Sequence, residues 1–370
     1  MSLSRAVAGV AWNASSITST LSKLMKLNLL KRQAGQALLT LCDIVPRTKP
    51  LLRRLGLRTK KEWFGDRVVH AQMPDGKSVK LASVGENYLS FELFWRGTEY
   101  YEPITTLILQ ELVRPGDTFM DIGANIGFYS LILSVSRPGL TVIALEPNPK
   151  AHALLKANAA ANRFSQIRCE PLAISDTDGT ARLHLSASDM SASLHRDFDG
   201  HPTDAIDVRT TSLDNYLTHT PIKGRLVIKV DVEGHEAAFF AGAWRTLAAL
   251  RPDIIAEVAV DYGDDTMTLL RDAGYHFYSI TDCGLVESRT LTPVSREPFV
   301  FLNYLLTCRP AHEVAKLFDG IRGRVARIDL RQTSKCLDAA SLRDFKAREA
   351  RAHLSRPPAL SGSASESMAL

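Results

Sequence analysis

Long apolar runs are missing from this 370-residue sequence. Nothing in it approaches the about 18–20 consecutive apolar residues that a bilayer span requires. The apolar start, Ala6 to Trp12, dissolves at once into Asn13, Ser15, Ser16, Thr18 and Ser19, so no secretory leader is expected. Cysteine is scarce too. Cys42, Cys169, Cys283, Cys308 and Cys336 are odd in number, scattered, and never in a C-x-x-C pair. A disulfide scaffold and a zinc knuckle are excluded, and a reducing, cytoplasmic setting is the simplest expectation. Charge of one sign is also lacking: 45 Lys and Arg against 40 Asp and Glu give a net charge of +5, too mild to indicate nucleic acid. With 45% hydrophobic and 23% charged residues, the chain as a whole is neither disordered, collagenous nor a coiled coil. No Ser-His-Asp triad, P-loop lysine or nucleophile elbow is legible.

What charge there is clusters at the two ends. Lys23, Lys26, Lys31, Arg32, Arg47, Lys49, Arg53, Arg54, Arg58, Lys60 and Lys61 crowd the N-terminal region, and Arg322, Arg324, Arg327, Arg331, Arg343, Lys346, Arg348, Arg351 and Arg356 the C-terminal one. Leu21, Leu24, Leu27, Leu30, Ala34, Leu38 and Leu41 recur at helical spacing. Such a helix either packs on the core with a solvated basic face or docks weakly on an anionic membrane. Val68 to Phe94 reads as short strands between turns. After Pro103 the texture alternates. Helices are expected at 104–113, 128–136, 150–161, 235–247 and 266–273, and strands at 118–122, 141–145, 167–174, 225–230, 253–258, 276–280 and 299–306. An extra antiparallel pair is expected at 180–185 and 207–212. Alternation of this kind indicates an α/β, doubly wound sheet with helices on both faces. The expected organisation is a basic, partly helical extension over 1–62, a small β-rich segment over 63–100 and the α/β domain over 101–308. A basic helical extension over 309–354 and a disordered tail over 355–370 follow.

The most informative segment is Asp121-Ile122-Gly123-Ala124-Asn125-Ile126-Gly127, set between an apolar strand and an apolar helix. Glycines there let the chain turn sharply and let a ligand approach the main chain. Glu146 follows about 20 residues on, at the end of the next strand, where such folds place a ribose-hydroxyl acceptor. A dinucleotide site wants glycine where Asn125 stands, because the side chain would crowd the pyrophosphate. An adenosyl ligand without phosphate fits better, and S-adenosylmethionine is the common one. Asn125 can then hydrogen-bond the amino-acid end of the cofactor.

With these residues in view, the sequence resembles the FkbM family of S-adenosylmethionine-dependent methyltransferases. Three blocks carry the likeness: Gly116-Asp117 leading into Asp121–Ser130, Ala144-Leu145-Glu146-Pro147-Asn148-Pro149, and Ile228-Lys229-Val230-Asp231-Val232-Glu233-Gly234-His235-Glu236. Gly242, Arg251-Pro252 and Glu257 follow in order, and the likeness runs from about Glu102 to Leu306. The resemblance implies a class I methyltransferase (Rossmann-like) fold and methyl transfer to a hydroxyl of a glycan, lipid-linked sugar or secondary metabolite. It implies that Gly123, Asn125 and Gly127 cradle the methionine part of the cofactor. Glu146 with Asn148 would stand at the ribose, and Asp176 of the Ala173–Asp176 segment at the adenine.

Methyl transfer from a sulfonium depends chiefly on positioning, with a base within reach of the acceptor hydroxyl. Asp231 would emerge at the end of the fourth strand near the transferred group, followed by Glu233 and by His235, whose ordinary pKa suits a base near neutrality. Each has a structural alternative: Asp231 as a cap of the next helix, Glu233 and Glu236 as first-turn acids, His235 as a structural histidine. Asp231, Glu233 and His235 are also credible metal ligands, but the transferred methyl carries its own activation and no metal is expected. Ser191 and Ser193, in a serine-rich insertion, would approach cofactor or acceptor, and Tyr101-Glu102 would close over the methionine carboxylate. Cys169 reads as core. The rival reading is a non-catalytic methyltransferase-like module serving as a binding or scaffold unit.

Overall fold

The structure, a computed structural model, describes residues 67–82, 85, 87–185, 192–194, 204–258, 263–281, 284–291 and 302–328, with 33, 35, 37–42, 49, 52 and 64. The chain enters through an antiparallel hairpin, β1 (Val69–Gln72) and β2 (Ser78–Leu81), and a helix, α1 (Tyr88–Arg96). Next come α2 (Pro103–Leu112), β3 (Thr118–Ile122), α3 (Phe128–Ser136), β4 (Thr141–Leu145), α4 (Pro149–Asn162) and β5 (Ile167–Glu170). A separate sheet holds β6 (Ala173–Ser175), β7 (Gly179–Leu185), β8 (Ala192–Ser193) and β9 (Asp204–Ser212), followed by α5 (Leu213–Thr218). The main series resumes with β10 (Leu226–Val230), α6 (Glu236–Ala241), α7 (Trp244–Leu250), β11 (Asp253–Val258) and α8 (Gly263–Asp272). It ends with β12 (His276–Thr281), β13 (Gly284–Ser288), β14 (Leu302–Thr307) and α9 (Ala311–Val325).

Eight strands form the main sheet in the order β13-β12-β14-β11-β10-β3-β4-β5. The pairs from β11 through β10, β3 and β4 to β5 are parallel, whereas β14 runs antiparallel between β11 and β12. Every residue of β3, β10 and β11 is buried, as expected of parallel strands covered on both faces. One core layer joins Phe119, Val227 and Leu305 to α2 and α3, and the opposite layer joins Ile228, Val230 and Leu306 to α6 and α8. Each such fully buried large apolar side chain contributes about 1.5–3 kcal/mol.

Parallel strands joined by crossovers all end on the same edge, and this brings Glu146, Gly123, Asp231 and Glu257 to one rim. Pro103 and Pro149 start α2 and α4, where a missing N–H costs nothing. The side chains of Asn158 and Asn162 on α4 act as a surrogate strand for β2. Asn158 Oδ1 accepts from Ala82 N at 2.7 Å, Asn162 Oδ1 accepts from Lys80 N at 2.8 Å, and Asn162 Nδ2 donates to Lys80 O at 2.7 Å.

The expectation of strands up to Phe94 is corrected: α1 occupies Tyr88–Arg96, capped by Asn87 Oδ1 accepting from Ser90 N at 3.0 Å. The 63–100 segment is therefore a hairpin and a helix rather than β-rich throughout. The strand expected over 167–174 divides into β5 and β6, which belong to different sheets. The helix expected over 235–247 breaks into α6 and α7 at Gly242, where a Cβ would lie 2.9 Å from the Ser175 carbonyl carbon. α9 lies within the expected C-terminal extension. Most of the 1–62 extension, Cys283, Cys336, Ser191 and the tail fall outside the described residues. Among the described residues no helix is long and apolar enough to cross a membrane.

Candidate functional site

The turn from β3 to α3 is built on left-handed backbone, with φ of 78° at Gly123, 49° at Asn125 and 86° at Gly127. At Gly123 two strand ends meet main chain to main chain. A Cβ there would lie 2.8 Å from the carbonyl carbon of Asp231, and Asp231 N donates to Ile122 O at 2.9 Å. At Gly127 a Cβ would lie 2.5 Å from Leu155 Cδ1 of α4. Among the described residues five non-glycine residues take positive φ. Arg163 and Arg251 are helix C-caps, while Asn125, Glu233 and Glu102 all stand around this rim. Strained backbone of this kind gathers where a fold holds a site.

Glu146, at the end of β4, is held against this turn. Its Oε2 accepts from Asn125 N at 2.7 Å and its Oε1 from Asn148 N at 2.8 Å. A carboxylate has about four lone-pair positions, so two remain for further donors. Burial pushes the Glu146 carboxyl up to about 7 against the pull of those two amides, and the charges of Asp121 and Asp231 push the same way. Asp121 itself, buried at the end of β3, accepts from Ser130 Oγ at 2.6 Å and Ser130 N at 3.1 Å, and burial raises its carboxyl to about 6.

Lys229 stands opposite Asp121 in the register of β10 with β3 and is completely buried. Its Nζ lies 3.4 Å from Asp231 Oδ2, donates to Val230 O at 3.2 Å, and sits 5.7 Å from the centre of the Tyr129 ring. Beyond it, Tyr129 Oη donates to Glu102 Oε2 in a short bond, and Asn303 Nδ2 donates to the same oxygen at 2.7 Å. Burial and the Glu102 charge hold the Tyr129 phenol well above its ordinary pKa, so it stays protonated. Asn303 is paired in register with Glu257 of β11, also buried.

The loop after β10 is tightly wound. Glu233 has φ 51° and its carbonyl accepts from Ser193 Oγ at 2.6 Å, which ties the inserted sheet to the rim. Gly234 N donates to Glu236 Oε1 at 3.1 Å. Glu236 Oε2 is buried with no hydrogen-bond partner, and burial raises that carboxyl to about 7. His235 precedes α6. Its Nε2 lies 2.8 Å from Ser175 Oγ, which donates to the exposed Asp176 at 3.0 Å.

The structure thus brings Gly123, Asn125, Gly127, Glu146 and Asn148 into one turn-and-carboxylate unit beside Asp231. Asp176 is joined through Ser175 to His235. Asp231 is not the cap of α6, because His235 holds that position. The Glu102 carboxylate is buried and turned onto Tyr129 and Asn303. Asp231, Glu233 and His235 are not brought together as one metal-ligand set, and among the described residues no group of three His, Cys, Asp or Glu is placed to hold a metal ion. Sequence reasoning misses Lys229, Tyr129, Ser130, Ser175 and Asn303 as site residues. A lysine inside an apolar strand is the one signal that could find any of them.

The residues present fit an adenosyl sulfonium. The Asp231 charge pushes up the carboxyls of Asp121, Glu146 and Glu236, so a ligand carrying positive charge relieves the cluster, and the two open positions on Glu146 suit a vicinal diol.

Comparison with known proteins agrees with this geometry. The Methyltransferase FkbM domain family matches residues 121–277. The 31-O-demethyl-FK506 methyltransferase FkbM of Streptomyces tacrolimicus is 34% identical over 120 residues, which is 32% of this chain and 44% of that protein. The 2-O-methyltransferase NoeI of Sinorhizobium fredii is 28% identical over 39% of this chain and 64% of its own length. The hexuronic acid methyltransferase AglP of Haloferax volcanii is 28% identical over 49% of this chain and 73% of its own length. The chain therefore spans less than half of the Streptomyces relative. Residues 121–277 are thus similar to the Methyltransferase FkbM domain family, and they lie on an α/β sheet whose strands from β11 to β5 are parallel.

Proposed function

We propose that this protein is an S-adenosylmethionine-dependent O-methyltransferase acting on a hydroxyl of a glycan, lipid-linked sugar or secondary metabolite. The observation that carries the reading is Glu146, buried on the amides of Asn125 and Asn148 with Asp231 at the neighbouring strand end. Relatives named for a 31-O-demethyl substrate, for 2-O-methylation and for hexuronic acid support hydroxyl-bearing acceptors. When bound, the cofactor supplies an electrophilic methyl group.

The chain's own residues do the rest. Glu146 takes the ribose diol on its two open positions. Gly123, Asn125 and Gly127 present main chain to the amino-acid end, and Asp176 stands for the adenine amine. Asp231 receives the acceptor proton. His235, whose Nε2 lies against Ser175 Oγ, is the second candidate, and Glu233 completes the catalytic set through the left-handed step that turns the loop. A base of this kind is worth typically about 10²–10⁴-fold in rate.

The test is transfer of a labelled methyl group from S-adenosylmethionine to components of a cell extract, then to the identified acceptor. Asp231→Asn should lower turnover by about 10²-fold or more while cofactor binding stays within a few-fold. Wild-type protein that labels nothing, or an Asp231→Asn variant with full turnover, would refute the reading.

A further inference from the structure

The function proposed above gives Lys229 no role, yet its ammonium is wholly removed from water at the centre of the sheet. Such burial is costly unless the charge is compensated, and an apolar residue of similar length would fill the same space more cheaply. The compensation is asymmetric. The ammonium lies inside the sheet, whereas its partner Asp231 is 18% exposed at the rim.

The ionisable groups acting on or beside the pair come from several elements: Asp121 on β3, Glu146 after β4, Tyr129 on α3 with its partner Glu102, and Glu236 at α6. All but Tyr129 are carboxyl groups. Glu102 Oε2 already accepts two hydrogen bonds, Asp121 Oδ2 accepts both of Ser130's, and Glu146 takes one amide on each oxygen.

We propose that Lys229 is a positioning residue. Its ammonium keeps Asp231 ionised and held at the rim, so that Asp231, among the crowded acids, receives the proton of the acceptor hydroxyl. The inference rests on the function proposed above for its last clause alone. The O–H bond of the acceptor breaks and its proton ends on the Asp231 carboxylate, which the neighbouring ammonium stabilises as the anion beforehand. The electron pair left on the acceptor oxygen forms the new bond to the methyl carbon as the methyl–sulfur bond breaks, the pair of that bond staying on sulfur and leaving a neutral thioether.

The experiment is carbon NMR of protein labelled at the side-chain carboxyl carbons of aspartate, titrated with pH. The Asp231 signal is assigned by its loss in Asp231→Asn. In Lys229→Met the Asp231 midpoint should rise by about one unit or more, since a close cation has been removed among like charges. Lys229→Arg should restore it to near the wild-type value, an outcome that a purely space-filling role would not give. An unchanged midpoint in folded Lys229→Met, or in Lys229→Gln should the methionine variant not fold, overturns the proposal. S-adenosylmethionine binding, measured separately on the wild type, separates the two claims. Its absence would sink the proposed function and leave the titration result standing.

Discussion

Replacing Gly123 by alanine tests whether the contact between the β3 and β10 ends is what builds the site. At φ 78° an L side chain costs about 1–2 kcal/mol. The new Cβ would also lie 2.8 Å from the Asp231 carbonyl carbon and closer still to its oxygen, both main-chain atoms that no rotamer change can move aside. Such overpacking costs about 1–3 kcal/mol. Forcing the strand ends apart weakens the Asp231 N to Ile122 O bond, worth about 1 kcal/mol. Together these give a destabilisation of about 3–6 kcal/mol, or roughly 6–24 °C in Tm at about 2–4 °C per kcal/mol for a domain of this size. Gly274→Ala is the matched control, since Gly274 has φ 88° with nothing within 4 Å of the added methyl, and it should lose about 1–2 kcal/mol. Calorimetry of both variants, with S-adenosylmethionine titration on each, reads the difference. The Gly123 variant should also bind at least tenfold more weakly, about 1.4 kcal/mol. Equal Tm losses and equal affinities in the two variants would show that the strand-end contact is not what shapes the turn.

Two further predictions concern the buried acids. Glu236→Gln keeps the oxygen that accepts from Gly234 N and removes a buried charge. The folded-state carboxyl stands at about 7 against an ordinary 4.5, so the wild type loses stability as pH rises through that window. The variant should match the wild type near pH 5 and exceed it by about 1–3 kcal/mol at pH 8 in denaturant titrations. A variant less stable at pH 8 would contradict this. Glu146 gives the second. Donor hydroxyls favour its ionised form, so S-adenosylmethionine affinity should strengthen with pH up to about 7 and then level off, with proton release seen as a buffer-dependent heat. A flat affinity between about pH 5.5 and 8 is the opposing result.

Much of the sheet is legible in the sequence because its signals are local. β3, β4, β11 and α3 fall at their expected bounds, each a largely apolar run. α1 misleads because Tyr88-Leu89-Ser90-Phe91-Glu92-Leu93-Phe94-Trp95 is buried almost all round, which erases helical periodicity and leaves β-favouring aromatics in view. Asn87 as a cap is the signal that could find it. The β5–β6 division follows Pro171, which cannot donate to a ladder. At the site, the glycine turn and Glu146 are readable from spacing within one crossover. The Lys229–Asp231–Tyr129 arrangement is not, since it depends on the register of β10 against β3, set by residues more than 100 positions apart. Residue type alone points to His235 as a base. Its engagement by Ser175 comes from a strand of the second sheet.

The most direct test of the cofactor site is isothermal titration of the full chain with S-adenosylmethionine, repeated on Glu146→Ala and Asn125→Ala. The site as described predicts one saturable event in the wild type and at least tenfold weaker binding in each variant, about 1.4 kcal/mol. No binding heat in the wild type, or equal affinity in all three proteins, would contradict it.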